Sequence, residues 1–326
     1  MLDVTGRQDY EGDLAIDAVD LRKRFGETVA ADGISLRVPR GSVFGLLGPN
    51  GAGKTTVVRI LTTLLRPDGG RARVAGFDVA AQAIEVRRRI GLVGQYASVD
   101  EILGGRQNLI MIGRLYGMSS SAAKKRADEL LERFDLLEPG KKSVKTYSGG
   151  MRRRLDLAAS LVVSPPILFL DEPTTGLDPN GRAATWDVIS TMTKGGTTVL
   201  LTTQYLEEAD RFAERIAVID HGKVVAEGTP AELKSGLGRS TLVVHLGPGF
   251  EEGTARAALA RFAVQPMLRQ TELVVPLKDI ESTSAIVAAL AAAGATLDRI
   301  NIAKASMDDV FFELTGHGRL AEGQKQ

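Results

Sequence analysis

Eight consecutive residues early in the chain have the types and spacing needed to hold phosphate groups. They fit the pattern G-x-x-x-x-G-K-[ST] and are Gly48, Pro49, Asn50, Gly51, Ala52, Gly53, Lys54 and Thr55. The glycines allow backbone N–H groups to converge on phosphate oxygens at the N-terminus of a helix, whose dipole favours anions. Lys54 is expected to reach the β- and γ-phosphates of a nucleotide, and Thr55 to ligate Mg²⁺. Thr56, the next residue, joins the predicted nucleotide-binding set.

A second candidate element is the apolar run from Ile167 to Leu170, which leads into Asp171 and Glu172. A continuous apolar run is typical of a buried parallel strand, and ligands bind at the C-terminal ends of such strands. Asp171 is therefore expected to contribute to an Mg²⁺ shell, and Glu172 to orient or deprotonate an attacking water. By itself such a run is more often a strand that leaves the core, but its combination with a phosphate loop favours a hydrolytic site.

Between these two elements, Ser148, Gly149 and Gly150 precede a helix predicted to begin near Met151. Their backbone N–H groups and the Ser148 hydroxyl offer a second cradle for an anion. A plain Ser-Gly-Gly turn is the alternative, because such turns are common in loops. Since the single phosphate loop already accounts for one triphosphate, the second cradle suggests contact with a nucleotide held by another subunit.

Three basic residues, Arg152, Arg153 and Arg154, follow this turn. A solvated helix face is the simplest interpretation of such a cluster, and attraction of phosphate near the turn is the alternative.

These residues need a framework of strands and helices to bring them together. A strand over residues 42–47 leads into the phosphate loop, and a helix over residues 55–65 follows it. Shorter apolar runs at residues 16–21 and 33–38 predict two further strands. Residues 98–163 are rich in helix formers and predict a helical subdomain. Beyond it, strands alternate with helices, which indicates an α/β fold with a mostly parallel sheet.

A second structural unit is expected after a shift in composition near residues 234–238. The expected organisation is a disordered lead-in, a nucleotide-binding domain, a small C-terminal α+β accessory domain and a tail, over residues 1–13, 14–236, 238–318 and 319–326. Within the accessory domain, Ser306 and Asp309 resemble a capping box with Asp in place of Glu, which predicts a final helix that starts at Ser306.

The overall composition excludes or disfavours several other kinds of function. The 326-residue chain has 41 basic and 40 acidic residues, so its net charge of +1 gives no support for bulk binding of nucleic acid. It has no cysteine, which excludes disulfides, thiolate metal sites and cysteine nucleophiles. No apolar run reaches the roughly 18 residues needed to span a bilayer, so any membrane role is expected to depend on a partner.

The phosphate loop, the Ser-Gly-Gly turn and the Leu-Asp-Glu strand end, in this order, resemble the ATP-binding subunits of ABC transporters, and the match covers residues 16–233. The resemblance implies a P-loop NTPase fold that binds ATP and Mg²⁺. Gln95 resembles the family's glutamine that links Mg²⁺ and the γ-phosphate to the membrane partner. Asp178 resembles the D-loop residue at the dimer interface. Phe25 resembles the aromatic residue that stacks on adenine, although a role in the core or in a turn stays open.

The detailed sequence of several segments resembles one branch of this family. The segments around Arg66, Gln95, Met151 and Tyr205, and the tail from Met307 to Phe311, resemble the daunorubicin-resistance (DrrA-type) drug-exporter ATPases. This resemblance implies a homodimer that encloses two ATP molecules and drives a separate membrane permease at the cytoplasmic face of the cell membrane. The implied cargo is a hydrophobic drug or a lipid-like molecule. A soluble ABC-type ATPase in translation or DNA maintenance is the alternative, which the single phosphate loop and the small net charge disfavour.

One position departs from the wider family. Most ABC ATPases have a histidine where this chain has Gln204, and that histidine contacts the γ-phosphate. A glutamine amide can still donate a hydrogen bond, but it cannot carry positive charge or transfer a proton. Because the DrrA-type branch resembles this chain in having glutamine there, Gln204 is expected to be a working substitute that acts in catalysis beside Glu172.

Overall fold

The computed structural model describes residues 13–94, 99–236, 240–246, 251–262, 264, 266–269, 272–277, 281–304 and 306–315. Within them the chain forms two compact units, which divide between Thr229 and Pro230. The boundary expected from composition lies a few residues later, near residues 236–238. Gln95 lies outside the described residues, as do the predicted tail and all of the predicted lead-in except Asp13.

The first unit is an α/β fold. Its strands are β1 (Leu14–Phe25), β2 (Thr28–Pro39), β3 (Val43–Leu47), β4 (Gly69–Val74), β5 (Phe77–Asp78), β6 (Ile90–Val93), β7 (Ile167–Asp171), β8 (Thr198–Thr203), β9 (Arg215–Asp220) and β10 (Lys223–Gly228). Its helices are α1 (Lys54–Leu61), α2 (Ala83–Arg87), α3 (Gly105–Leu115), α4 (Ser120–Arg133), α5 (Gly149–Ser160), α6 (Pro179–Lys194) and α7 (Leu206–Phe212).

A mostly parallel sheet forms the centre of this unit, which confirms the predicted fold class. Its strand order is β10-β9-β3-β8-β7-β6, and only the β9–β10 pair is antiparallel. Every residue of β3, β7 and β8 is buried. These strands are covered on both faces, which explains why they lack the polar–apolar alternation of a half-exposed strand.

A second sheet in the same unit was only partly predicted. Its order is β2-β1-β4-β5, and all of its pairs are antiparallel. The predicted strands at residues 16–21 and 33–38 are parts of β1 and β2, each of which runs for 12 residues. Strand β4 was missed because only Ala72 and Val74 in it are buried. Two apolar positions give too weak a pattern to indicate a strand until β1 lies beside it.

One apolar core connects the two sheets and the helix that follows the phosphate loop. It contains Ile34 and Leu36 of β2, Phe44 of β3, and Val57 and Ile60 of α1, all of them fully buried. Because α1 contributes to the same core as both sheets, its N-terminus is held in a fixed position relative to the strand ends.

Two helices differ in length from the predictions for physical reasons. Helix α1 ends at Leu61 rather than at residue 65, because Thr63 has a φ of 64°, a left-handed value that a right-handed helix cannot include. Helix α5 begins at Gly149 rather than Met151, because Ser148 Oγ caps it by accepting the Met151 N–H at 3.2 Å.

Helices α3, α4 and α5 pack against one another and form the expected helical subdomain. Among the described residues, no helix combines the length and the apolar character that crossing a membrane requires.

The second unit has the predicted α+β character. Its elements are α8 (Pro230–Gly236), β11 (Ser240–Leu246), α9 (Glu252–Leu259), β12 (Met267–Arg269), β13 (Glu272–Pro276), α10 (Ser282–Ala292), β14 (Leu297–Lys304) and α11 (Met307–Thr315). The strands form an antiparallel sheet in the order β12-β13-β11-β14. The predicted capping box is present, since the Ser306 N–H donates to Asp309 Oδ2 at 2.9 Å and the Asp309 N–H to Ser306 Oγ at 3.2 Å.

The phosphate loop allows a direct test of glycine geometry. Gly53 has a φ of 108°, and a Cβ atom there would lie 2.2 Å from the Ala30 carbonyl oxygen, whereas Gly51 has a φ of 82° and open space. We expect Gly51→Ala to lower the free energy of unfolding by about 1–2 kcal/mol, the cost of a left-handed residue. Gly53→Ala should cost roughly 1–3 kcal/mol more through the added clash. Urea unfolding measures both, and equal losses would contradict the proposed close approach.

Candidate functional site

The ends of three parallel strands place the main candidate residues at one edge of the central sheet. Pairing aligns Leu47 of β3 with Thr203 of β8, and Thr202 with Asp171 of β7. The phosphate loop follows β3, Glu172 follows β7 and Gln204 follows β8. Residues that are more than 100 positions apart in sequence therefore emerge side by side.

The phosphate loop lies close to two neighbouring turns of backbone. A Cβ atom at Gly48 would lie 2.2 Å from the Ile219 carbonyl oxygen, so only glycine fits there. The N–H of Gly222, in the turn after β9, donates to the Ala52 carbonyl at 3.0 Å, and the Asp32 N–H donates to the Gly222 carbonyl at 2.7 Å. The loop is thereby tied to β9 on one side and to β2 on the other.

Lys54 is buried and folds back over its own loop. Its Nζ donates to the carbonyl oxygens of Gly48 at 2.7 Å and Pro49 at 3.0 Å. Burial lowers the pKa of the Lys54 ammonium below its ordinary value, and the negative charges of Glu172 and Asp171 oppose that shift. A phosphate anion at this position would supply the same kind of support for the charged form.

A cavity of about 170 Å³ opens beside this loop and brings together most of the predicted phosphate-binding residues. Its lining from the phosphate loop and the start of α1 is Asn50, Gly51, Ala52, Gly53, Lys54, Thr55 and Thr56. Glu172 and Ala30 complete the described lining. Ala30 was not predicted, because nothing in the sequence near this β2 residue distinguishes it from an ordinary strand alanine.

Oxygen atoms suited to a hard cation lie next to Thr55, one of the residues that line this cavity. Thr55 Oγ1 donates to Asp171 Oδ1 at 3.3 Å, and Thr202 Oγ1 donates to the same oxygen at 2.5 Å. A hydroxyl and a carboxylate are the donors that Mg²⁺ uses when substrate phosphates and waters complete its shell. The residues present therefore fit Mg²⁺. Thr202 was missed by the sequence analysis, since threonine is an ordinary strand residue.

Glu172 has an unusual backbone conformation. Its φ is 51°, a left-handed value that is rare for residues other than glycine and that clusters at functional sites. Its N–H donates to the Thr202 carbonyl at 3.1 Å, and the Thr175 hydroxyl donates to its Oε2 at 3.3 Å. The half-buried carboxylate is thus held at the wall of the cavity.

The loop that carries Gln204 is linked to the loop that carries Glu172 through a buried carboxylate. Glu208 Oε2 accepts from the Thr174 hydroxyl at 2.8 Å and from the Thr203 hydroxyl at 3.4 Å. Glu208 is only 8% exposed. Sequence reasoning missed it because an acidic residue in the first turn of a helix normally suits the helix dipole and solvent. Gln204 itself is half-buried and directly follows β8.

The Ser148 turn lies outside the described lining of this cavity. Ser148 and Gly149 are exposed, and a Cβ atom at Gly149 or Gly150 would meet nothing within 4 Å. Apart from the Met151 N–H that Ser148 caps, the first backbone N–H groups of α5 have no partner within the helix, as at any helix N-terminus. The turn therefore presents donors to the surface.

Asp178 and Phe25 are also at the surface. Asp178 caps α6 by accepting the Gly181 N–H at 2.8 Å. Phe25 is 48% exposed and pairs with Thr28 at the tip of the β1–β2 hairpin, the hairpin that contributes Ala30 to the cavity. An exposed ring in that position is available to stack on a planar group.

The environments of the three arginines after the Ser148 turn differ from the solvated helix face that the sequence predicts. The interpretation as a solvated face is wrong for Arg153, whose side chain is 11% exposed and whose guanidinium donates to backbone carbonyls of the core. Arg152 instead pairs with Glu101 at 3.0 Å, and Arg154 donates to the Phe134 carbonyl at 3.1 Å. The sequence pattern alone did not indicate which of these three arginines is poorly exposed.

Several known proteins are similar to this chain in sequence. Residues 31–175 match the family described as ABC transporter. The chain is 54% identical over 308 residues to the daunorubicin resistance ATP-binding protein DrrA3 of Streptomyces coeruleorubidus, covering 94% of this chain and 98% of that protein. It is 50% identical to the daunorubicin/doxorubicin resistance ATP-binding protein DrrA of Streptomyces peucetius, covering 93% of each.

A solved structure extends the comparison to the fold. It is described as the dimeric, post-hydrolysis state of an ATP-binding cassette bound to ADP and Pi, and it is 25% identical with a TM-score of 0.61 over 66% of this chain and 98% of that chain. The two daunorubicin resistance proteins match over nearly their whole length. Their sequence identity to this chain is about twice that of the solved structure. The chain belongs to the ABC transporter family, as an ATPase subunit of the drug-resistance exporter type.

Proposed function

We propose that two copies of this chain enclose two ATP molecules head to tail, and that ATP binding and hydrolysis drive a separate membrane-spanning permease. The observation that carries this proposal is the division of the anion-binding groups. The phosphate loop and Glu172 share one cavity, while the donors of the Ser148 turn face the surface elsewhere. A second copy would bring its Ser148, Gly149, Gly150 and Asp178 to the nucleotide held by the first. The dimeric relative bound to ADP and Pi supports this arrangement.

In the proposed reaction the chain's own groups bind the triphosphate and orient the water. Backbone N–H groups of the phosphate loop and of the first turn of α1 hold the phosphates together with the Lys54 ammonium, and Phe25 stacks on the adenine. Thr55 and Asp171, with Gln95, would hold Mg²⁺, which would supply neutralisation of charge on the phosphate oxygens. Glu172 accepts a hydrogen bond or the proton from the attacking water, and the Gln204 amide donates to the γ-phosphate.

The proposed cargo follows from the relatives and not from the site. Both relatives are named for resistance to daunorubicin, and one of them also for resistance to doxorubicin. We accordingly assign a hydrophobic drug or lipid-like molecule as cargo, with the chain at the cytoplasmic face of the membrane through its permease. A soluble role in translation or DNA maintenance is not favoured, since the net charge is +1 and the relatives are resistance proteins.

The transport proposal is tested by producing the chain together with a candidate permease, chosen as a protein with several hydrophobic spans that a neighbouring gene encodes. We expect the two proteins to co-purify in detergent and the complex, in lipid vesicles, to hydrolyse ATP faster when daunorubicin is added. The same complex with Glu172→Gln should assemble but lack turnover. This function would be contradicted if the chain did not co-purify with that membrane protein. It would also be contradicted if neither the partner nor the drug changed the ATPase rate.

Removal of the proposed base should trap the dimer. Glutamine at position 172 cannot take a proton from water, so we expect Glu172→Gln to bind ATP and remain a nucleotide-bound dimer. Light scattering after size-exclusion chromatography, with and without ATP and Mg²⁺, measures this. A matched control adds Ser148→Arg, which crowds an exposed turn and should abolish the dimer without unfolding the chain. A Glu172→Gln variant that stays monomeric with ATP would remove the support for the trans contact.

Gln204 should affect turnover more than affinity. Loss of one positioned donor to developing charge lowers kcat by about a hundredfold in other enzymes, so we expect at least about a tenfold fall in kcat for Gln204→Ala. The KM for ATP should change by less than about threefold, because binding rests on the phosphate loop. Steady-state ATPase assays with the membrane partner measure both. Gln204→His, which restores a ring N–H donor, is the matched control, and an unchanged kcat for Gln204→Ala would exclude Gln204 from the mechanism.

A further inference from the structure

Arg153 is a buried cation on α5 that contacts backbone rather than solvent. It lies five residues after Ser148 and in the second turn of the same helix. Its Nε donates to the Pro173 carbonyl at 2.7 Å, and its Nη1 to the Gly94 carbonyl at 2.6 Å. The planar guanidinium has five N–H donors in a fixed fork, so it can bind several carbonyls at once in a defined geometry.

Its remaining donor group reaches the proposed catalytic residue. Nη2 of Arg153 donates to the carbonyl oxygen of Glu172 at 3.0 Å and to that of Asp171 at 3.3 Å. Glu172 is the residue with the left-handed φ of 51°. A rare backbone conformation persists only when surrounding contacts fix it, and the hydrogen bond from Arg153 is one of those contacts.

The acceptors of Arg153 belong to two different loops. Gly94 follows β6, while Asp171, Glu172 and Pro173 lie at the end of β7, and these two strands are parallel neighbours. One side chain from the helical subdomain thus clamps two adjacent strand ends of the central sheet. Gly94 also directly precedes Gln95, the residue proposed to act on Mg²⁺ and the γ-phosphate.

The charge of Arg153 is supported in its buried position. Burial lowers the pKa of its guanidinium, and nearby carboxylates, led by Asp156, oppose the shift. Asp156 Oδ2 lies 3.7 Å from Nη1, and the Asp156 side chain is fully buried. Because arginine stays protonated in proteins, the clamp is a charge-assisted one throughout the accessible pH range.

The neighbouring arginines provide a contrast within the same helix turn. Arg152 pairs with Glu101, and Arg154 with the Phe134 carbonyl and Asp135 at 3.1 and 3.5 Å. Those partners lie in the region 98–163, so both arginines act within the helical subdomain. Of these three neighbours, Arg153 is the one whose described partners include the strand ends.

We propose that Arg153 is a positioning residue that transmits engagement of the Ser148 turn to the backbone of Glu172. The proposal rests on the dimer proposed above, in which that turn meets the nucleotide of the partner copy. Because α5 carries both Ser148 and Arg153, a shift of its N-terminus on nucleotide contact moves the guanidinium and the carbonyls it holds. Glu172 is then in place for hydrolysis when the turn is engaged, which ties turnover to dimer closure.

The test compares Arg153→Gln and Arg153→Lys with the matched control Arg154→Gln, which removes the same charge one residue away. The readouts are the melting temperature, ATP affinity, kcat, and ATP-dependent dimerisation after each change is added to Glu172→Gln. We expect Arg153→Gln to lower kcat by about tenfold or more, as small misplacements of reacting groups do. ATP affinity should stay within about twofold and the trapped dimer should still form, since the phosphate loop and Ser148 are intact.

Arg153→Lys, which keeps the charge but has no planar fork, is expected to lower kcat as well while melting close to the native chain. Arg154→Gln should leave kcat within about twofold even if it lowers the melting temperature by more. An unchanged kcat in both Arg153 variants, or parallel losses of affinity, melting temperature and kcat in all three variants, would overturn the proposal. Failure of Glu172→Gln alone to dimerise would instead contradict the proposed function, so the two failures are distinguishable.

Discussion

The site depends on one constraint, which is that three buried parallel strands end at the same edge of a sheet. Backbone pairing aligns Leu47 with Thr203 and Asp171 with Thr202. A slip of one residue in either pair would exchange the faces of an entire strand and displace the residues that follow its end. The phosphate loop, the carboxylates and the Gln204 loop are therefore brought together by strand register and burial, before any ligand is present.

Close backbone contacts then fix the loops that leave this edge. Glycine at positions 48 and 53 allows the phosphate loop to approach the carbonyl oxygens of Ile219 and Ala30, where a Cβ atom would lie at 2.2 Å in both cases. Through these contacts the antiparallel sheet becomes part of the site, although it supplies none of the predicted phosphate ligands. The same hairpin carries Phe25, which explains how an exposed aromatic ring is held near a phosphate-binding loop.

The charge on two cations of the site is balanced by nearby carboxylates. Lys54 and Arg153 are cations in poorly exposed positions, and burial lowers the pKa of each. Asp171 and Glu172 oppose both shifts, so one pair of carboxylates supports a cation on the phosphate loop and another on the helical subdomain. Each cation also donates to backbone carbonyls, which replaces part of the hydration that burial removes.

The sequence by itself determined the elements that depend on consecutive residues. These are the phosphate loop, the apolar strand that leads into Asp171 and the helix after the Ser-Gly-Gly turn, because residue spacing and apolar pattern are local properties. Only the tertiary structure placed Ala30 in the cavity, Thr202 on Asp171 and Arg153 against the strand ends. Each of these residues has an ordinary type for its own strand or helix, and its partner lies at least 18 positions away in the chain. Such contacts are set by how the sheets and helices pack, and a local pattern carries no record of that packing.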